Sequence, residues 1–85
     1  MSDFSTAIEV LDQRRREDAR RLNAAETEAA YVQAQIDYDL AFRPQNTKDL
    51  PGFRKRLEKA NKEAEEYRAE IASLDAAIAR LDGES

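Results

Sequence analysis

Two stretches of this chain carry apolar residues at alternating steps of three and four, and the two stretches mirror each other about a point just after Pro44. The first runs through Phe4, Ile8, Leu11, Arg15, Asp18, Leu22, Ala25, Ala29, Val32, Ile36 and Asp39. With Ile8 as an a position and Leu11 as d, seven of the nine seam positions from Ile8 to Ile36 are apolar, the exceptions being Arg15 and Asp18. A repeat of about 3.5 residues is the period of a coiled-coil helix. The second stretch runs through Leu50, Phe53, Leu57, Ala60, Ala64, Tyr67, Ile71, Leu74, Ile78 and Leu81, and every seam position in it is apolar.

Antiparallel coiled coils stack an a residue of one helix on a d residue of the other, so the residue numbers of paired positions sum to a constant. Setting Ile36 on Phe53 gives 89, and the same sum pairs Val32 with Leu57, Ala29 with Ala60, Ala25 with Ala64 and Leu22 with Tyr67. It then sets Asp18 on Ile71, Arg15 on Leu74, Leu11 on Ile78 and Ile8 on Leu81. Half of that sum falls between Pro44 and Gln45. Pro44 lacks an amide hydrogen and forces Arg43 out of helical dihedrals, so the turn belongs there. Two unrelated repeats have no reason to be centred on their own turn. The expectation is an all-α chain: a two-helix antiparallel coiled-coil hairpin, with helix 1 over about 4–42, a turn over about 43–49 and helix 2 over about 50–82. Ser2, or Thr6 in a capping box with Glu9, is placed to start the first helix. Asp49 and Pro51 suit the start of the second, and Gly83 is placed to end it. Two adjacent alanine layers in the middle imply that the helix axes approach closely there.

Composition agrees with this reading. Of 85 residues, 38% are charged and 41% hydrophobic, but many of the latter are alanine, so one small domain without a thick core is all the chain supports. Met1 is followed by neither a basic stretch nor an apolar run long enough for a signal or a membrane span, so no membrane partner and a cytoplasmic location are expected.

The same inventory excludes most chemistry. The chain has no His, no Cys and no Trp, no glycine-rich phosphate loop, and no nucleophile paired with a base, so no enzyme, no cofactor and no small-molecule substrate are expected. Glu28 and Glu63 approach across the helices, but with no third ligand they make no metal site.

Three features remain as candidates. Arg14, Arg15, Arg16, Arg20 and Arg21 form a basic cluster that, with Arg54, Lys55, Arg56 and Lys59, would serve a nucleic-acid-binding hairpin. Against this, the net charge is -4, and the arginines point around the helix, with Asp12 to Arg16 and Glu17 to Arg21 at i,i+4 spacing and Arg21 on the edge facing Glu70. Arg15 and Asp18 are polar seam residues that either set register and partner choice or bond each other and reach out of a thin seam. Finally, Val10, Ala24, Tyr31 and Tyr38 at c positions, with Ala7 and Phe42 at g, extend the apolar stripe of helix 1. Ala69, Ala72, Ala76, Ala77 and Ala79 do the same on helix 2 near the termini. A hairpin this thin gains stability from a further contact. The expected function is therefore a small protein–protein interaction or assembly protein that presents helix faces to itself or to another protein. The partner-binding residues are Val10, Arg15, Asp18, Tyr31, Tyr38, Phe42, Ala72, Ala76 and Ala79. The termini-proximal half is expected to carry the contact, and a homodimeric four-helix bundle is its simplest form.

Overall fold

The computed structural model of the chain describes residues 4–45 and 47–84. Within them α1 spans Phe4–Phe42 and α2 spans Leu50–Glu84, and the two pack along each other as a hairpin, with no strand among the described residues. Its principal extents are 67 × 15 × 14 Å, one helix-pair thick in both short directions. A helix of 39 residues is about 58 Å long at 1.5 Å per residue, so α1 sets the long axis.

The turn is where Pro44 requires it. Arg43 donates its amide to the Asp39 carbonyl at 2.8 Å, one last helical bond, and the chain then turns at Pro44 and Gln45. On the far side the Asp49 carbonyl accepts from the Phe53 amide at 3.0 Å, which makes Asp49 the residue at the cap of α2 and puts Pro51 in its first turn, where no amide hydrogen is needed. Two boundary expectations are corrected. Because α1 already begins at Phe4, Thr6 lies inside the helix and caps nothing, while Ser2 lies outside the described residues. Gly83 does not end α2: a glycine stops a helix by turning to positive φ, Gly83 keeps a negative one, and the helix continues to Glu84.

Burial follows the mirrored seam. Asp18, Ala25, Val32, Ile36 and Asp39 of α1 and Leu50, Ala60 and Ala64 of α2 are buried, and the remaining seam positions of both helices are half-buried except Phe4, which stands at the open end. The best-formed core lies beside the turn, where Val32, Ile36 and Leu50 pack together with Phe53 and Leu57 against them. These are the layers in which Ile36 meets Phe53 and Val32 meets Leu57. The buried alanines Ala25, Ala60 and Ala64 occupy the middle, where small side chains let the backbones come close.

The ion pairs across the seam give an independent reading of the register. Arg14 pairs with Glu70 and Arg56 with Glu28 on one flank, partners whose numbers sum to 84, and Arg68 pairs with Glu26 on the other flank, summing to 94. The two values lie equally far below and above 89, as they must when the g positions pair on one side of an antiparallel seam and the e positions on the other.

Candidate interaction surface

The seam buries two carboxylates, Asp39 beside the turn and Asp18 in the termini-proximal half. Asp18, which the register sets in the layer of Ile71, is 0% exposed, and neither of its carboxylate oxygens has a hydrogen-bond partner. Arg14 Nε and Arg21 Nη1 stand 3.7 and 3.6 Å from Oδ1, near enough for charge attraction but beyond hydrogen-bond length. Arg15, the other polar seam residue of that half, behaves differently. Its long side chain leaves the seam past Leu74 and bonds Asp75 at the edge of α2. Of the two readings of this pair, the one in which Arg15 and Asp18 bond each other is not realised: Arg15 takes Asp75, and Asp18 lies near Arg14 and Arg21. Glu70 likewise takes Arg14, at 3.0 Å, rather than Arg21.

These pairings account for most of the arginine cluster. Arg14, Arg15, Arg16 and Arg21 each lie against a carboxylate, that of Asp12 at 3.0 Å in the case of Arg16. Across the middle of the hairpin Arg56 donates to Glu28 at 2.5 Å, so a cation already stands where Glu28 and Glu63 approach, and among the described residues no group of three His, Cys, Asp or Glu could hold a metal ion. No described helix is long and apolar enough to cross a membrane.

The exposed apolar residues tell more. Val10 is 63% exposed, Tyr31 59%, Tyr38 53%, Leu40 51% and Phe42 73%, all on α1. Tyr31, Tyr38 and Phe42 fall on one side of α1, and the Tyr38 and Phe42 rings are 5.1 Å apart and tilted by 39°. Of the other expected partner-binding residues, Ala72, Ala76 and Ala79 are exposed on α2 near the termini, far from those rings. Arg15 and Asp18 are tied into the seam and its edge. The structure thus separates the nine residues into an aromatic group near the turn, an alanine group near the termini, Val10 on α1 and two polar seam residues. Leu40, on the opposite flank of α1 from Tyr38, was not singled out by the sequence, because one leucine off the seam leaves no periodic trace.

The two outer faces near the turn are chemically opposite. Between Arg54 and Glu66 every exposed residue of α2 except Asn61 is charged. Between Asn23 and Phe42 the only charged exposed residues of α1 are Glu26, which is paired with Arg68, and Asp37, which accepts from Gln33 at 3.0 Å. At about 100° per residue both charges fall outside an arc of about 100° on the outer side of α1 that holds Ala24, Thr27, Tyr31, Ala34, Tyr38 and Ala41. Comparison with family models, with curated proteins and with solved structures finds no match for this chain.

Proposed function

We propose that this hairpin is a non-enzymatic interaction or assembly module, which works by offering a helix face to a second copy of itself or to another protein. The observation that carries the proposal is the bare outer face of α1 between Asn23 and Phe42, in a chain where 38% of residues are charged. The seam takes the opposite side of the same helix, so from Ala25 to Ile36 α1 is uncharged on both faces, and the one seam charge beyond them, Asp39, is buried. A helix of that kind belongs in an interior, with protein on both sides. The neighbouring α2 keeps a fully charged outer face and needs no cover. Weight therefore moves from the termini-proximal half, where only Phe4, Val10 and small alanines are exposed, to the half beside the turn.

The test compares the parent chain with Tyr38→Glu and with Glu58→Lys. Sedimentation equilibrium over a wide concentration range is combined with affinity capture from the source cell. The module reading requires either self-association or a captured protein, lost with Tyr38→Glu and kept with Glu58→Lys. A parent chain that sediments as a 9.7 kDa species throughout and captures nothing that Tyr38→Glu fails to capture overturns it.

A further inference from the structure

The outer face of α1 is itself a second heptad seam, and its pattern specifies what lies on it. Ala24, Thr27, Tyr31, Ala34, Tyr38 and Ala41 follow one another at steps of three and four, at the c and f positions of the first repeat, and all six are exposed. Large residues stand at c from Tyr31 onward, and small ones at every f. Antiparallel pairing sets c against f, so the constant-sum rule that locates the hairpin turn applies again. A sum of 65 places all six residues in layers made from the same six: Tyr31 on Ala34, Tyr38 on Thr27 and Ala24 on Ala41. Each tyrosine meets a small residue, and the pattern is symmetric about a point between Val32 and Gln33.

The flanks agree. The offset of five seen in the hairpin's own ion pairs predicts flanking sums of 60 and 70. The first sets Ala30 on Ala30 and Asn23 on Asp37. The second sets Gln35 on Gln35 and Phe42 on Glu28. No like charges meet. Gln33 occupies Asp37 Oδ1, and the second carboxylate oxygen is placed to accept from the Asn23 amide of the other copy.

Resting on the interaction-module reading, we infer that the occupant of this face is a second copy of the chain, its α1 antiparallel across a two-fold axis beside Val32 and Gln33. The arrangement is linear in cross-section, α2 and α1 of one copy followed by α1 and α2 of the other, with both charged α2 faces outward. It differs from a side-by-side four-helix bundle in length. The axis lies about 20 Å from the turn, so two hairpins of 67 Å overlap by about 40 Å and the dimer reaches about 95 Å.

The chain lacks cysteine, which makes single-cysteine probes unambiguous. In the full-length protein, Ala30→Cys and Gln35→Cys should each cross-link to themselves through a short bis-maleimide, whereas Glu58→Cys should not. Small-angle scattering of the parent should give a maximum dimension near 95 Å, and Ala34→Glu, which sets a carboxylate against Tyr31 at two places per dimer, should raise the dimer Kd by about 100-fold or more. The helical circular dichroism of Ala34→Glu should match the parent, since Ala34 is exposed in the hairpin. A dimer no longer than a single hairpin, or one in which Ala30→Cys and Gln35→Cys fail to cross-link, overturns this pairing and leaves the module reading in place. A monomer that captures a host protein through Tyr38 does the same. A monomer that captures nothing overturns both.

Discussion

Replacing Asp18 with valine should make the hairpin more stable, and the size of the gain follows from what the carboxylate touches. Asp18 is fully buried with neither oxygen hydrogen-bonded, and Arg14 and Arg21 approach only to 3.7 and 3.6 Å. An unsatisfied buried polar group costs about 1–3 kcal/mol, and replacing buried ion-pair members with apolar residues of similar volume is neutral or stabilising by about 1–4 kcal/mol. Valine fills nearly the same space, meets Ile71 as an apolar layer, and has nearly the helix propensity of aspartate, so the backbone contribution cancels. For a domain of this size each kcal/mol is worth about 4–8 °C in Tm. The assay is thermal and urea unfolding followed at 222 nm, with parent and variant at the same two protein concentrations so that self-association does not enter the difference. Asp18→Val should melt at least about 4 °C above the parent. Asp18→Asn, which removes the charge but keeps polar atoms in the seam, should gain less. If Asp18→Val melts below the parent, the two arginines hold the carboxylate more strongly than their distances indicate, and the reasoning fails.

Two further outcomes test the packing. Ala64→Leu should cost about 1–3 kcal/mol by forcing apart helices that meet closely at the alanine layers, while Ala72→Leu on the exposed side should leave the unfolding midpoint within about 0.5 kcal/mol of the parent. A double-mutant cycle on Arg56 and Glu28, both about half exposed, should give a coupling of about 0.2–1 kcal/mol that shrinks as salt is raised, read from urea midpoints at low and high ionic strength.

The register of the hairpin was legible because it is written in backbone periodicity, which side-chain detail does not disturb. Ile36 and Val32 find Phe53 and Leu57 because α1 and α2 share one period and one turn. The fate of the polar seam residues was only half legible. Arg15 carries a stem long enough to leave the seam for Asp75, whereas the carboxylate of Asp18 is too close to its own backbone to escape and stays buried. Nor does sequence choose among carboxylates within reach of a flexible guanidinium, which is why Glu70 pairs with Arg14 rather than Arg21. On the outer face Tyr31 and Tyr38 stood out at once. Thr27, Ala34 and Ala41 between them did not, since alanine is also the ordinary filler of any helix. Only the exposure of all of them together, beside a wholly charged α2 surface, sets that stripe apart.

The location of the main core beside the turn also dictates the order in which the hairpin assembles. Contacts between Val32, Ile36, Leu50 and Phe53 close a short loop, while the pairs of Arg14 with Glu70 and Arg15 with Asp75 join residues 56 and 60 positions apart. Loop-closure entropy grows with separation, so the chain nucleates at the turn and zips outward, each layer shortening the loop that the next must close. The last layers to form are Leu11 with Ile78 and Ile8 with Leu81, beyond Asp18 and Arg15, and they are the first to open. The face of α1 that faces outward near the turn is thus complete early in folding, while the two chain ends are still separate, and it stays rigid during fluctuations that part the ends.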